Sequence, residues 1–250
     1  MYIFKNSMAS NVPHNPQQSI AGFPVGILVI EDSMHLLPGN VANAQSFNFH
    51  VLYEVLEGVR ASQVMGGDAD IGERVIKGGQ NLVKRGARIV LGACGSFANY
   101  QKQTAAALDV PTFLTVMMQV PWILPSLKPD QKIGVIAASA AALTPKVFDQ
   151  SGITDPERLV IDEAMKLDSF MKMADCAPDF DPDQLAFDMT KLARNMVDNH
   201  PDIAVILLQC SDMPPFAAAI QDGVQLPVFD MTSMVEWAAR AAIRRPGGAR

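Results

Sequence analysis

The chain is poor in the features that usually announce chemistry. Its 250 residues include 3 cysteines and 4 histidines. Three cysteines do not make a disulfide framework, so in a reducing compartment they are expected as thiols with reactive, ligand or core roles. The histidines (His14, His35, His50 and His200) are dispersed, and none stands at ligand spacing from a cysteine, so no metal site is predicted. Long hydrophobic runs are missing too. A stretch such as Ile203 to Leu208 falls far short of the roughly 20 residues that a bilayer requires. Residues 1–20 form a polar tail without the apolar core of a secretory signal, and the expected location is cytoplasmic, with no membrane partner. The net charge of −6 is modest and the basic residues form no stripe, which argues against a nucleic-acid partner. Neither a G-x-G-x-x-G sequence nor a P-loop occurs, so no phosphate cradle is signalled.

What is present is an alternation of short aliphatic runs with helical patterns. The runs are Val25 to Ile30, Ile89 to Ala93, Thr112 to Val116, Ile133 to Ala137, Ile203 to Leu208 and Val228 to Phe229. Continuous apolar strands separated by helices imply a parallel sheet covered on both faces, a doubly wound α/β architecture. Leu185, Met189, Leu192 and Met196 form one apolar helical stripe, and Ile71, Val75 and Leu82 another. The two halves also repeat each other. Each runs helix, turn, strand, cysteine, helix, strand, and in both a proline (Pro111, Pro227) opens the last strand 17 residues beyond the cysteine. The spacing predicts two pseudo-symmetric lobes of parallel sheet with a cleft between them. The first spans 21–126 and the second 127–230, and a last helix over 231–244 packs back on the first. The Pro-rich stretch 121–132 marks the boundary.

In open parallel sheets, ligands bind beyond the carboxyl ends of the strands. Cys94 and Cys210 occupy such ends, each between a strand and an expected helix start, where amides and the helix dipole would lower a thiol pKa. Two thiols on facing lobes suggest that one removes a proton from a carbon while the other delivers one to the opposite face. Gly95, Ser96, Ser211 and Asp212 follow the cysteines. They read either as helix caps alone or as caps that also bind a substrate carboxylate. Cys176 reads as core filler.

The duplicated lobes, with C-G-S after the first strand end and Q-C-S-D-M-P-P after the second, resemble the aspartate/glutamate/hydantoin racemase superfamily from about residue 24 to 240. The resemblance implies a cofactor-independent enzyme with Cys94 and Cys210 as acid and base, and with Ser96 and Ser211 at hydroxyl positions that touch the substrate carboxylate. Bacterial glutamate racemases carry C-N-T and C-T-H where this chain has C-G-S and C-S-D, so Asp212 replaces a histidine. Arylmalonate decarboxylases keep only the second cysteine, and Cys94 argues against that branch.

The polar stretch EDSMHLLPGNVANAQSFNF, residues 31–49, should overhang the cleft, with Asp32, Ser33 and Asn43 as binding candidates or as residues of a solvated loop. The matching loop of the second lobe offers Ser139 and Thr144, and Thr144 before Pro145 also suits a helix cap. The expected function is racemisation or epimerisation of a small carboxylate such as an amino acid or hydantoin. The alternatives are a maleate-type cis-trans isomerase and a non-catalytic binding protein. A homodimer is the expected assembly.

Overall fold

The computed structural model describes residues 22–243, so the polar tail at 1–20 lies outside the described residues. Two four-stranded parallel sheets form the frame. The first contains β1 (Val25–Ile30), β2 (Val51–Leu56), β3 (Val90–Gly92) and β4 (Thr112–Phe113) in the order β2-β1-β3-β4. Between them run helices α1 (Ala61–Gly66), α2 (Ala69–Lys84) and α3 (Gln101–Ala107), and α4 (Val120–Ile123) follows β4. The second sheet repeats the order as β6-β5-β7-β8, from β5 (Lys132–Ala137), β6 (Leu159–Glu163), β7 (Ile203–Leu208) and β8 (Val228–Phe229). Its helices are α5 (Pro145–Ser151), α6 (Asp168–Ala174), α7 (Pro182–Asn199), α8 (Ala217–Val224) and α9 (Met231–Ala242).

Three buried clusters organise the packing. On the outer face of the first sheet, Leu28 and Val90 meet Val75 and Leu82 of α2. On the outer face of the second, Ile136 and Ile206 meet Leu185, Met189 and Met196 of α7. The stripes read from the sequence are the faces that each long helix buries. The third cluster joins the lobes: Val25, Ile27 and Leu91 share it with Ile133, Val135 and Leu207, and Val235 and Ala238 of α9 complete it. Helix α9 packs on β1, and its Trp237 meets Phe113 of β4 edge-on.

The repeat survives in hydrogen bonds. Val90 N–H donates to Pro111 O at 3.0 Å, and Ile206 N–H donates to Pro227 O at 2.9 Å, so each proline opens its lobe's last strand in the same way. Strands β2 and β6 escape the apolar-run reading because they are sheet edges with mixed side chains, including Glu54, Asp162 and Glu163. Cys176 is exposed, not core, and sits in a left-handed turn with φ 52° just after α6.

The lobes meet most closely beyond β3 and β7. The Ser211 hydroxyl donates to Ala93 O at 3.0 Å. Gly95 lies so near Gln209 that an added Cβ would stand 2.6 Å from the Gln209 carbonyl oxygen and closer still to its side-chain amide. Only glycine fits there. Gly95→Ala is therefore expected to lower the unfolding free energy by about 1–3 kcal/mol, read as a lower urea midpoint with an unchanged m-value.

Candidate active site

Residues flanking one cysteine touch residues flanking the other. Ala93 and Gly95 bracket Cys94, Gln209 and Ser211 bracket Cys210, and the two bracketing pairs are the seam between the lobes. The thiols consequently share one region at the carboxyl ends of β3 and β7. Cys94 has extended backbone (φ −160°, ψ 122°) and directly precedes a 3-10 turn over Gly95–Tyr100. Cys210 precedes a turn through Ser211 and Asp212, and helical structure begins only at Pro214, whose ring suits a first helical position. Ser211 and Asp212 thus do not start a helix as expected.

Asp212 is bound to Cys210. The Cys210 thiol donates to Asp212 Oδ2 at 3.3 Å, while Asn40 Nδ2 donates to Asp212 Oδ1 at 2.7 Å. Asn40 is buried, and its own Oδ1 accepts from Ala42 N–H at 2.8 Å, which fixes the amide orientation. The chain Asn40, Asp212, Cys210 crosses from the first lobe to the second. Sequence reasoning missed Asn40, and the only signal was its place in a polar loop at a strand end.

That loop straps the lobes together. After β1, His35 stacks on Phe180 with ring centroids 4.8 Å apart, and its Nε2 lies 3.1 Å from Ala177 O. Gly39, with φ +100°, lets the backbone pass against Pro215, and Thr232 of α9 donates to Gly39 O at 2.8 Å. From the other side α5 packs on the Gly95–Tyr100 turn, with Lys102 paired to Asp149 at 2.8 Å. Each lobe lays the segment after its first strand over the other lobe's cysteine turn.

The remaining candidates divide. Asp32 follows β1, whose register against β3 (Leu28 beside Gly92) carries it past the level of Cys94 one strand away. Its carboxylate accepts from Ala61 N–H at 2.6 Å and pairs with Arg60 at 3.4 Å. Asp32 and Ser33 line a cleft of about 420 Å³ together with Leu36, Tyr53, Val55 and Arg60. Ser96 is buried, and its hydroxyl has no hydrogen-bond partner among the described residues. Ser211, by contrast, is committed to Ala93. Asn43 is not brought to the cysteines: it accepts from Gln45 N–H and donates to Leu36 O, serving its own loop. Thr144 is exposed and caps α5 by accepting from Val147 N–H at 3.3 Å. Ser139 precedes a short 3-10 turn without a side-chain cap bond. A second cavity, about 410 Å³, lies between β6 and α7, lined by Lys191 and His200 among others; neither cysteine lines either of these two cavities.

The electrostatics run opposite to the sequence expectation of lowered thiol pKa values. Burial pushes the Cys94 thiol up to about 11; the amides of Ser96 and Phe97 oppose this, and the negative charges of Asp212 and Asp32 reinforce it. Cys210 is pushed well above the ordinary thiol range, first by burial and then by Asp212, with Cys94 adding to it. Burial also raises Asp212, against the hydrogen bonds from Asn40 and Cys210. Desolvation and a neighbouring carboxylate outweigh the few amides a short turn supplies.

No protein-family model matches the chain. In fold it is similar to unliganded arylmalonate decarboxylase (TM-score 0.57, 16% identity, 91% of this chain and 94% of that one). It is likewise similar to a glutamate racemase from Bacillus anthracis (TM-score 0.54, 12% identity, 88% and 82%). The fold is the two-lobe α/β fold of these solved enzymes. In sequence the chain is similar to a dimethylsulfoniopropionate lyase from Durusdinium sp. clade D, 24% identical over 241 residues, which are 94% of this chain and 80% of the relative. It is also similar to dimethylsulfoniopropionate lyase 5 of Emiliania huxleyi, 25% identical over 232 residues, of whose length the match spans 46%. All four are enzymes, but the sequence relatives are lyases, not isomerases. Among the described residues no helix is long and apolar enough to cross a membrane, and no group of three or more His, Cys, Asp or Glu could hold a metal ion.

A thiol raised to about 11 is mostly protonated at neutral pH, and the thiolate is the reactive form. Alkylation of Cys94 by iodoacetamide is expected to be slower than that of free cysteine at pH 8 and to keep accelerating toward pH 11. Asp212→Asn, which removes a charge opposing ionisation, should shift that profile to lower pH, as mass spectrometry of the labelled peptide would show.

Proposed function

We propose that this protein is a lyase that removes the proton next to a carboxylate and expels a cationic sulfur group from the neighbouring carbon, as in the cleavage of dimethylsulfoniopropionate. The observation that carries the reading is the half-buried Asp212 carboxylate bonded to Cys210. The two thiols share their surroundings with carboxylates, Asp212 beside both and Asp32 acting on Cys94, and neither thiol ionises readily. A cation bound beside the sulfurs reverses this. At about 4 Å and an effective dielectric near 20, one positive charge contributes roughly 4 kcal/mol, about 3 pKa units. That moves the Cys94 thiol down toward the physiological range when a sulfonium binds, so the substrate itself promotes its base.

Cys94 takes the base role because two amides, those of Ser96 and Phe97, support its anion, whereas Cys210 has one supporting amide, that of Asp212, and the Asp212 carboxylate bonded to it. Cys210 keeps its proton, directed at Asp212. The Cys94 thiolate accepts the α-proton, the C–H electron pair becomes a carbon–carbon double bond, and the carbon–sulfur bond breaks with its electrons on sulfur. The sulfonium leaves as neutral dimethyl sulfide and the acid leaves as acrylate. Ser96, with its uncommitted hydroxyl, is the group for the substrate carboxylate. The sequence similarity to lyases over 94% of the chain supports the same reading.

Racemisation of a small carboxylate is the second reading, favoured by the presence of both cysteines on facing strand ends. It requires two thiols that exchange roles, whereas here only Cys210 is bonded to a carboxylate. The two readings separate by NMR in deuterated water. With dimethylsulfoniopropionate the wild type should release acrylate and dimethyl sulfide, and Cys94→Ala should lose about 10²–10⁴-fold in kcat. Asp212→Asn should raise KM for the sulfonium substrate. If amino acids or hydantoins instead exchange their α-proton and no sulfonium is cleaved, the racemase reading replaces the lyase.

A further inference from the structure

Asn40 is buried, and each of its polar atoms is engaged. Its backbone N–H donates to Leu37 O at 3.0 Å, its carbonyl accepts from the Ser46 hydroxyl at 2.6 Å, and its side-chain Oδ1 accepts from Ala42 N–H at 2.8 Å. Those bonds lie within the loop after β1. They leave the amide NH2 aimed across the lobe seam, where it donates to Asp212 Oδ1 at 2.7 Å. A flipped amide would set acceptor against acceptor at Asp212 and donor against donor at Ala42. On Asp212, Oδ1 is taken by Asn40 and Oδ2 by the Cys210 thiol at 3.3 Å, so the carboxylate cannot turn without losing both.

The bond is not needed as a tether. The same loop is already fastened to the second lobe by His35 on Phe180 and by Gly39 against Pro215, and Thr232 of α9 holds Gly39 O. What the bond governs is a proton. Cys210 and Asp212 can hold one proton between them in two ways, as thiol with carboxylate or as thiolate with carboxylic acid, and the two differ by movement of that proton from Sγ to Oδ2. A donor on Oδ1 favours the charged carboxylate. Asn40 and the Cys210 thiol both act in that sense, while burial and the negative charge of Asp32 act against it. Cys94 is the other titratable group that acts on Cys210. None of these neighbours is a cation, so the carboxylate form leans on its two donors. Without Asn40 the carboxylate becomes more basic and the thiolate arrangement gains.

We infer that Asn40 is a positioning residue that keeps Asp212 a proton acceptor, so that the Cys210 proton stays on sulfur and Cys94 alone is left to act as base. The inference rests on the proposed assignment of the two thiols, but its test uses no substrate, so failure of the lyase reading and failure of this one are separate results. The test is iodoacetamide labelling of the intact protein from about pH 7 to 10, followed on the Cys210 peptide by mass spectrometry, with the exposed Cys176 as internal reference. In the wild type the Cys210 rate should rise with pH throughout. Asn40→Leu should label Cys210 about tenfold faster near neutrality. Its rate should level off as pH falls, because the two arrangements hold equal numbers of protons. In an Asp212→Asn background, Asn40→Leu should add nothing. Asn40→Ala repeats the measurement with a smaller side chain, and circular dichroism melting confirms that each variant is folded. A wild-type rate that already levels off near neutrality overturns the inference. So does a Cys210 profile unchanged in both Asn40 variants, a gain shared equally by Cys94, or an Asn40 effect undiminished without the Asp212 carboxylate.

Discussion

Everything at the proposed active site depends on how closely two backbones approach between Gly95 and Gln209. Parallel strands end with their carbonyls and side chains pointing into the space beyond the sheet, and here two such ends face each other. A glycine on one side and the Ser211 to Ala93 hydrogen bond on the other close that space until the residues flanking the cysteines touch. Any side chain at 95 would wedge the strand ends apart and take the two thiols out of a common environment. The shared environment of the two thiols is therefore a property of the lobe interface and belongs to neither lobe alone.

The same closeness fixes the electrostatics. A thiol beyond a strand end in an open cleft would feel mainly the amides of the following turn and would ionise more easily. With the second lobe pressed against it, and with the charges of Asp212 and Asp32 acting on it, it keeps its proton. Both thiols are held in the protonated form by burial and by the carboxylate beside them. The closeness also makes the two cysteines unequal, since only Cys210 is bonded to a carboxylate, and that carboxylate is held in place by Asn40 from the other lobe.

The crossing segments explain why such an interface holds together. The loop after β1 reaches over to Phe180, Pro215 and Asp212, and α5 reaches back to the turn after Cys94. The joint core beneath, in which Ile27 and Leu91 share a cluster with Val135 and Leu207, buries the inner face of both sheets. Duplication of one unit gives each crossing a counterpart, so the lobes are tied at both edges of the cleft.

Much of this is written in the string itself. The strand runs at Val25–Ile30 and Ile203–Leu208 are legible to the residue because a central strand buried on both faces leaves an unbroken aliphatic record. Cys94 and Cys210 are legible because the repeat aligns them. Strands β2 and β6 are not, since an edge strand with one solvated side mixes Glu54 or Asp162 into its run. The commitment of Ser211 to Ala93, the role of Asn43 within its own loop, the reach of Asn40 to Asp212 and the upward shift of both thiols were decided only by tertiary structure. Local sequence sets which residues can cap a turn or end a strand; which polar group meets which, and how much water is left around a sulfur, depends on segments more than a hundred residues apart coming into contact.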